Sequence, residues 1–220
     1  MKTLYGIGVG PGDPDLITVK ALKCIQQANH IFVPRPHIQK PGAAETIAAE
    51  YLHTKSVVPL GFPMGQENTR HYRQAAVLIN KTLQDGQTGT FLTIGDPLVN
   101  STYTHIMFET QRLGIQQIVV PGITSYQTAA ATLQIPITLK DERFYLADGY
   151  IDEVILERVN SVCLLKPFKD KVNTLKKLER RGFQYAYVKY CSYPNEEILR
   201  EPSQILQDNT YMSIIVARKQ

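Results

Sequence analysis

The sequence predicts an α/β protein built as two α/β domains, and three observations carry that prediction. Short apolar runs alternate with amphipathic ones from the first residues onward, which is the pattern of parallel sheets covered by helices. Loops rich in Gly, Pro and hydroxyl residues fall between a strand-like run and a helix-like run at Gly6–Pro14, Thr93–Tyr103 and Val119–Tyr126. After Pro121-Gly122 the composition shifts to a small-residue helix and then a more strand-rich half, so the boundary is placed near residue 121, with an N-terminal domain over 1–120 and a C-terminal one over 121–220.

Taken in order, Leu4 to Val9 reads as a first strand, and Thr18 to Ala28 as a helix with Ala21, Leu22, Ile25 and Ala28 on one face. Ile31 to Val33 is a strand, Ala43 to Leu52 a helix and Ser56 to Val58 a short strand. Thr69 to Leu83 is a helix stopped by Asp85-Gly86, because glycine readily takes the left-handed conformation that ends helices. Thr88 to Thr93 is a strand, Thr102 to Leu113 a helix ending at Gly114, and Gln117 to Val120 a strand. In the second half Ser125 to Leu133 is a helix. Phe144 to Ala147, Ser161 to Leu165, Tyr185 to Tyr190 and Met212 to Val216 are strands, with helices over Asp152 to Val159 and Asp170 to Arg181.

The 220 residues suffice for one large domain or two small ones, at about 100 to 200 residues per domain. With 43% hydrophobic and 20% charged residues the chain has material for a sizeable core and no mark of long disorder. The net charge of +4 is spread along the chain and fits a small anionic substrate at least as well as nucleic acid. The densest basic stretch, Lys166 to Arg181, carries Val172, Leu175 and Leu178 at helical spacing and reads as the solvated face of an amphipathic helix. Cys24, Cys163 and Cys191 are widely spaced with no CxxC pair, and read as reduced core thiols. No secretory signal and no run of about 18 apolar residues is present, so a cytoplasmic location and no membrane partner are expected. No HxxxH, cysteine cluster or carboxylate pair points to a protein-bound metal.

The first loop, Gly6-Ile7-Gly8-Val9-Gly10-Pro11-Gly12-Asp13-Pro14, sits where a dinucleotide fingerprint would, but its glycines are not spaced GxGxxG and no acidic residue follows about twenty residues later. A tight turn explains it equally, with glycines allowing positive φ and prolines stiffening the exit. The second loop, from Thr93 to Tyr103, leaves the end of a predicted parallel strand, where open α/β sheets bind ligands. There Gly95 admits close backbone approach, Asp96 can accept from an amine or hydroxyl, and Ser101 or Thr102 can cap the helix or bond a ligand. An Asp-Pro turn with a Ser or Thr cap accounts for the same residues. The third loop, Val119 to Tyr126, repeats the theme, and Ser125 is also a candidate cap. Three such loops in one chain favour a shared ligand crevice.

The segments GIGVGPGDPDLIT, TIGDPLVNSTY and VVPGITSYQTAAATLQIP, in this order, resemble the three signature segments of the tetrapyrrole methylase family, and the resemblance covers essentially the whole chain. Within the family, the GDPxxxSTY form of the second loop, the LKPFKDK segment and the tail Tyr211 to Val216 are similar to the precorrin-2 or cobalt-factor II carbon-20 methyltransferases. The resemblance implies the class III methyltransferase fold, with S-adenosyl-L-methionine bound in a cleft between two α/β domains, S-adenosyl-L-homocysteine as product, and a homodimer. It implies that Pro11, Gly95, Asp96 and Val99 line the cofactor pocket. It also implies that Ser101, Thr102, Thr124 and Ser125 supply hydroxyl or backbone contacts, and that Leu165, Cys191 and Met212 stand at strand ends around the adenine and ribose. Arg35, His37, Arg70, His71 and Arg73 are candidates for the carboxylate arms of a tetrapyrrole, since arginine matches carboxylate bidentately, and Tyr103 and Tyr150 for stacking on the ring. Solvated surface charge, core and rim positions are the plainer readings of these residues. Asn100 and the segment Ala147-Asp148-Gly149-Tyr150 depart from the family pattern.

The chemistry expected is methyl transfer to an electron-rich carbon, which demands alignment and water exclusion more than a strong base, so no residue is assigned a catalytic role and any metal arrives within the substrate. Two other functions compete. A same-fold methylase acting on another tetrapyrrole position or on a macromolecule, of diphthamide or ribosomal RNA type, would in the RNA case show a stronger basic surface with interleaved aromatics, and no nucleic-acid partner is expected. A non-catalytic nucleotide-binding module would keep the glycine loops without accommodating a large second substrate.

Overall fold

Parallel strands buried on both faces need continuous apolar runs, and the first half of the chain supplies them. In the computed structural model, which describes residues 1–63, 65 and 67–219, the chain divides into two compact units, Met1–Thr124 and Ser125–Gln220. The first contains β1 (Thr3–Gly8), α1 (Val19–Gln27), β2 (His30–Arg35), α2 (Ala43–Ile47), β3 (Val57–Gly61), α3 (Thr69–Thr82), β4 (Thr88–Thr93), α4 (Thr102–Gln111) and β5 (Gln116–Val120). Its sheet runs β3-β2-β4-β1-β5 with every pairing parallel. On one face Leu4, Phe32, Leu60 and Phe91 pack with Ala75, Ile79 and Leu83 from α3 and the segment after it, and with Tyr103 and Ile106 of α4. Ala21 and Ile25 of α1 and Ala44 and Ile47 of α2 are buried as well.

Helix starts follow local capping chemistry. Thr18 Oγ1 accepts from the Ala21 amide at 3.2 Å ahead of α1, and Ser101 Oγ accepts from the Tyr103 amide at 3.0 Å ahead of α4. The predicted helix over Ala43 to Leu52 stops early, because Ala48 leaves the helical region at φ −90°, ψ 7°, and a single 3-10 turn over Ala49–Tyr51 follows.

The second unit contains α5 (Ser125–Leu133), β6 (Phe144–Asp148), α6 (Glu153–Leu156), β7 (Ser161–Leu165), α7 (Lys171–Arg180), β8 (Phe183–Lys189), β9 (Glu197–Leu199), α8 (Pro202–Gln207) and β10 (Ser213–Lys219). Its sheet runs β6-β7-β10-β8-β9. Here the expectation of a parallel sheet is corrected. Only β6 and β7 are parallel, whereas β10 runs antiparallel between β7 and β8, and β9 antiparallel to β8. Alternate residues feed two cores, with Val162, Leu164, Tyr187, Ile215 and Ala217 on the face of Leu156, Leu175, Leu178 and Ile205. Cys163, Ala186, Val188, Ile214 and Val216 lie on the face of Ala129 and Leu133. The apolar face of α7 is also shifted from the predicted one: Lys171, Thr174, Leu175 and Leu178 point inward and Val172 outward. Lys171 buries its stem and spends its ammonium on the carbonyls of Ile205 and Leu206, at 2.9 and 3.4 Å, and of Asp208, so part of the basic stretch caps the end of α8 instead of facing solvent.

Candidate active site

The connection leaving β1 travels toward β2, and the one leaving β4 toward β5, so two adjacent strands send their crossovers in opposite directions. Crossovers of one hand then lie on opposite faces, and the loops at the carboxyl ends of β1 and β4 part to leave a crevice. The sequence puts its first two glycine-bearing loops there, and the third leaves β5 on the other side of β1.

Backbone contacts hold the three loops together. The Val9 amide donates to Thr93 O at 2.9 Å, the Gly95 amide to Gly10 O at 2.8 Å, and Gly10 and Gly95 form an isolated antiparallel bridge. Asp96 clamps the second loop to itself and to the third, its Oδ1 accepting from the Leu98 amide at 2.8 Å and its Oδ2 from the Gly122 amide at 3.1 Å. The crossing is possible because no side chain stands in it. A Cβ on Gly8 would lie 2.3 Å from Gly95 O and 2.6 Å from the Gly122 Cα, and one on Gly122 would lie 2.1 Å from Gly95 O. Gly95, by contrast, has φ +66°, and the position its Cβ would take meets nothing nearer than Ile123 O and Thr124 Cα at 3.9 Å. A ligand has room to approach the backbone at that point.

The predicted residues of this unit fall around the crossing. Pro11 and Thr124 are buried, Asp96, Val99 and Thr102 half-buried. Ser101 spends its hydroxyl on the α4 cap and on Thr93 Oγ1 at 2.8 Å, a structural role. Asn100 takes φ +47°. Asn tolerates the left-handed region better than other side chains, so its departure from the family pattern has a backbone reason. Sequence reasoning overlooked Gly8 and Gly122 as contact residues, since their close approach joins segments far apart in the chain.

In the second unit the register of antiparallel β10 brings its first residue beside the last residues of two strands. Ile214 pairs with Leu165 and Ser213 with Lys189, and the Tyr190 amide donates to Met212 O at 2.9 Å. Leu165, Cys191 and Met212 therefore stand at one end of the sheet, and Ser125 opens α5, its carbonyl accepting from the Cys191 thiol at 3.7 Å. Burial and the neighbouring Glu196 push the Cys191 thiol up to about 12, so it stays protonated. Lys166, Tyr190 and Ser192 at this end all have positive φ, a clustering of costly backbone that marks functional sites. Asp208 braces the segment before β10: its carboxylate accepts from Lys189 Nζ at 2.9 Å, Tyr187 OH at 2.7 Å and the Thr210 amide at 2.8 Å.

The candidates for a second substrate divide. Tyr103 is fully buried, its hydroxyl donating to Gln117 Oε1 at 3.1 Å and its ring filling the space left by Gly6, so its expected stacking on a ligand is corrected: it is a core residue whose phenol burial pushes up to about 12. Arg35 forks onto Glu45 at 2.8 and 2.6 Å and donates its remaining arm to Ile38 O, so its bidentate face is occupied. His37, Arg70 and Arg73 are exposed, His71 is half-buried, and Tyr150 is exposed just beyond β6.

Comparison with known proteins gives this geometry its relatives. The family model described as Tetrapyrrole (Corrin/Porphyrin) Methylases matches residues 3–206. A probable cobalt-precorrin-2 C(20)-methyltransferase of Methanocaldococcus jannaschii is 28% identical over 225 residues, covering 100% of this chain and 97% of the relative. The cobalt-precorrin-2 C(20)-methyltransferase of Salmonella typhimurium is 26% identical, covering 99% of this chain and 96% of its own. Among solved structures, a uroporphyrin-III C-methyltransferase from Thermus thermophilus complexed with S-adenosyl homocysteine superposes with a TM-score of 0.73 at 22% identity, over 98% of this chain and 97% of that one, a likeness of fold. With its two sheets, its three loops and a match to the family model over nearly its whole length, the chain belongs to the tetrapyrrole methylase family.

Proposed function

We propose that this chain transfers the methyl group of S-adenosyl-L-methionine to carbon-20 of a corrin precursor, cobalt-factor II or precorrin-2, in cobalamin biosynthesis. The observation that carries the cofactor half of this reading is the side-chain-free crossing of Gly8, Gly95 and Gly122 at the switch point of a parallel sheet, with open space beside Gly95. The carbon-20 half is supported by full-length relatives whose names state that position.

In this reading Pro11, Gly95, Asp96, Val99, Thr102 and Thr124 of the first unit contact the cofactor, and Ser101 holds the loop that presents them. Ser125, Leu165, Cys191 and Met212 are the contacts of the second unit. S-adenosylmethionine supplies an electrophilic methyl on a sulfonium, and what remains for the protein is alignment and exclusion of water. Gly95 offers backbone groups at close range, and Asp96, its carboxylate held by two amides, keeps the loop rigid where it meets the cofactor. The protonated Cys191 thiol is a poor nucleophile and does not compete for the methyl group. His37, Arg70, His71 and Arg73 remain candidates for the substrate's carboxylates. We also propose a cytoplasmic homodimer, which sedimentation equilibrium would report as about twice the 24.8 kDa chain mass.

The test is methyl transfer from labelled S-adenosylmethionine to metal-free precorrin-2 and to cobalt-factor II offered separately, with the new methyl located by NMR. Label at carbon-20 of either ring is the expected result, and the preferred ring assigns the substrate. Cofactor binding without transfer to either ring would overturn the reading.

A further inference from the structure

The segment Ala147-Asp148-Gly149-Tyr150, which no family motif absorbs, lies at the end of β6, where the parallel register sets Asp148 beside Leu165 and the Gly149 amide donates to Leu165 O at 2.8 Å. The LKPFKDK segment leaves β7 at the same point, and Tyr211 arrives from the other direction just before β10. Topology thus gathers three aromatic residues from three neighbouring strands at one end of the sheet, and all three are solvent-exposed: Tyr150 by 58%, Tyr211 by 49% and Phe168 by 38%. Large exposed rings are costly to leave in water, and three together form an apolar patch of the kind that marks a binding surface.

Their arrangement is built. Phe168 and Tyr211 form a tilted pair with centroids 5.6 Å apart, and Lys169, the next residue along, places its ammonium 5.5 Å over the ring of Tyr150. Gly149 makes room for that lysine, since a Cβ there would lie 2.9 Å from Lys169 Cδ, and the glycine holds φ +76°. Lys166 adds a second cation in the left-handed conformation at φ +52°, with its Nζ 3.3 Å from Asp148. Asp148 takes up Lys166, while among the described residues no carboxylate pairs with Lys169, which leaves that ammonium for an anion. Flat apolar faces bordered by lysines suit a planar, polyanionic ring: the faces stack or pack on the ring plane, and the ammonium groups meet its carboxylates.

We propose that Tyr150, Phe168 and Tyr211, with Lys166 and Lys169, form a docking face for a planar ring carrying several carboxylates, and so determine which macrocycle the enzyme accepts. This deepens the function proposed above and rests on it for the identity of the substrate, although the class of ligand follows from the patch itself. Leu165 and Met212, the proposed cofactor contacts, adjoin this face in sequence and register, consistent with a ring held near the cofactor.

The test uses the full chain and uroporphyrin, a fluorescent planar octacarboxylate, as the probe, titrated by fluorescence quenching against the wild type, the double variant Phe168→Ala/Tyr211→Ala, the double variant Lys166→Gln/Lys169→Gln, and Phe108→Ala as an exposed aromatic control on α4. Each aromatic or lysine double variant is expected to weaken probe binding at least tenfold, with S-adenosylhomocysteine affinity changed less than threefold and Phe108→Ala unchanged. The lysine variant should also flatten the salt dependence of probe binding. Failure of the wild type to bind the probe, or equal affinity across the variants, overturns the docking face. Because this readout involves no methyl transfer, its result is separable from that of the carbon-20 assay: a chain that methylates carbon-20 with variants of unchanged probe affinity sinks the face alone, and weakened binding without carbon-20 transfer sinks only the substrate assignment.

Discussion

At the residue scale the loop crossing stands on two glycines that have no alternative. A Cβ on Gly122 would meet Gly95 O at 2.1 Å, backbone that cannot swing aside like a side-chain tip, so one loop must move. Gly122→Ala is expected to cost about 2 to 4 kcal/mol of stability in urea denaturation, in the range of other strained core changes, and to weaken S-adenosylhomocysteine binding at least tenfold by calorimetry. Unchanged affinity would remove the crossing from the cofactor site. Asn100 gives the complementary case. Its φ of +47° predicts that Asn100→Gly is tolerated to within about 0.5 kcal/mol, whereas the β-branched Asn100→Val costs about 1 to 2 kcal/mol. Equal urea midpoints for the two would show that φ does not control this position. Much of this scale was legible in the sequence as residue type, since Gly95, Asp96 and Asn100 stood out in their loop. Their partners were not, because the contacts of Gly8 with Gly122 and of Asp96 with the Gly122 amide close distances that no local pattern encodes.

At the element scale, apolar runs bounded by turn residues located elements such as β4, α5 and β7, because there propensity and burial agree. Hydrophobic periodicity missed β9 and α8, whose three and six residues are too short for a period to register. It also misread α7, where the lysine at 171 is an inward residue because its ammonium reaches backbone carbonyls. Lys171→Met retains the stem and removes the donor, so it should destabilise the protein by about 1 to 3 kcal/mol, the cost of leaving buried carbonyls unsatisfied, read as a lowered urea midpoint. The Asp208 brace adds a pH dependence. Burial pushes this carboxyl up, but the donors Lys189, the Thr210 amide and Tyr187 outweigh burial and hold it below the usual carboxylate range. A group with a depressed folded-state value contributes stability above its unfolded value of about 3.9 and loses it as pH falls toward the folded one. Asp208→Asn should therefore be less stable than wild type by about 2 kcal/mol at pH 7, and the gap should close as pH drops below about 4. A gap that is constant from pH 7 to pH 3 would assign the loss to geometry and not to charge.

At the scale of the whole chain, the two halves solve the same burial problem with different topologies. The first half alternates strand and helix regularly and forms an all-parallel sheet, which periodicity anticipated. The second departs because β10, the last strand, inserts between β7 and β8, and nothing local to residues 213–219 announces a central position or a direction. That insertion is nonetheless what sets Met212 beside the ends of β7 and β8, so the element hardest to place from sequence is the one that assembles the second unit's candidate contacts. Binding of one ligand by residues of a folded chain, and not by the unfolded chain, raises stability by mass action. S-adenosylhomocysteine at a hundredfold its dissociation constant should add about 2.7 kcal/mol, or roughly 5 to 10 °C of melting temperature for a chain of this length. Gly122→Ala, with affinity weakened at least tenfold, should lose at least about half of that shift at the same ligand concentration, while Lys171→Met, which touches no residue of the glycine crossing, should keep it. A variant pair that lost the shift equally would mean that ligand stabilisation tracks general stability, and the glycine crossing would then carry no specific claim on the cofactor.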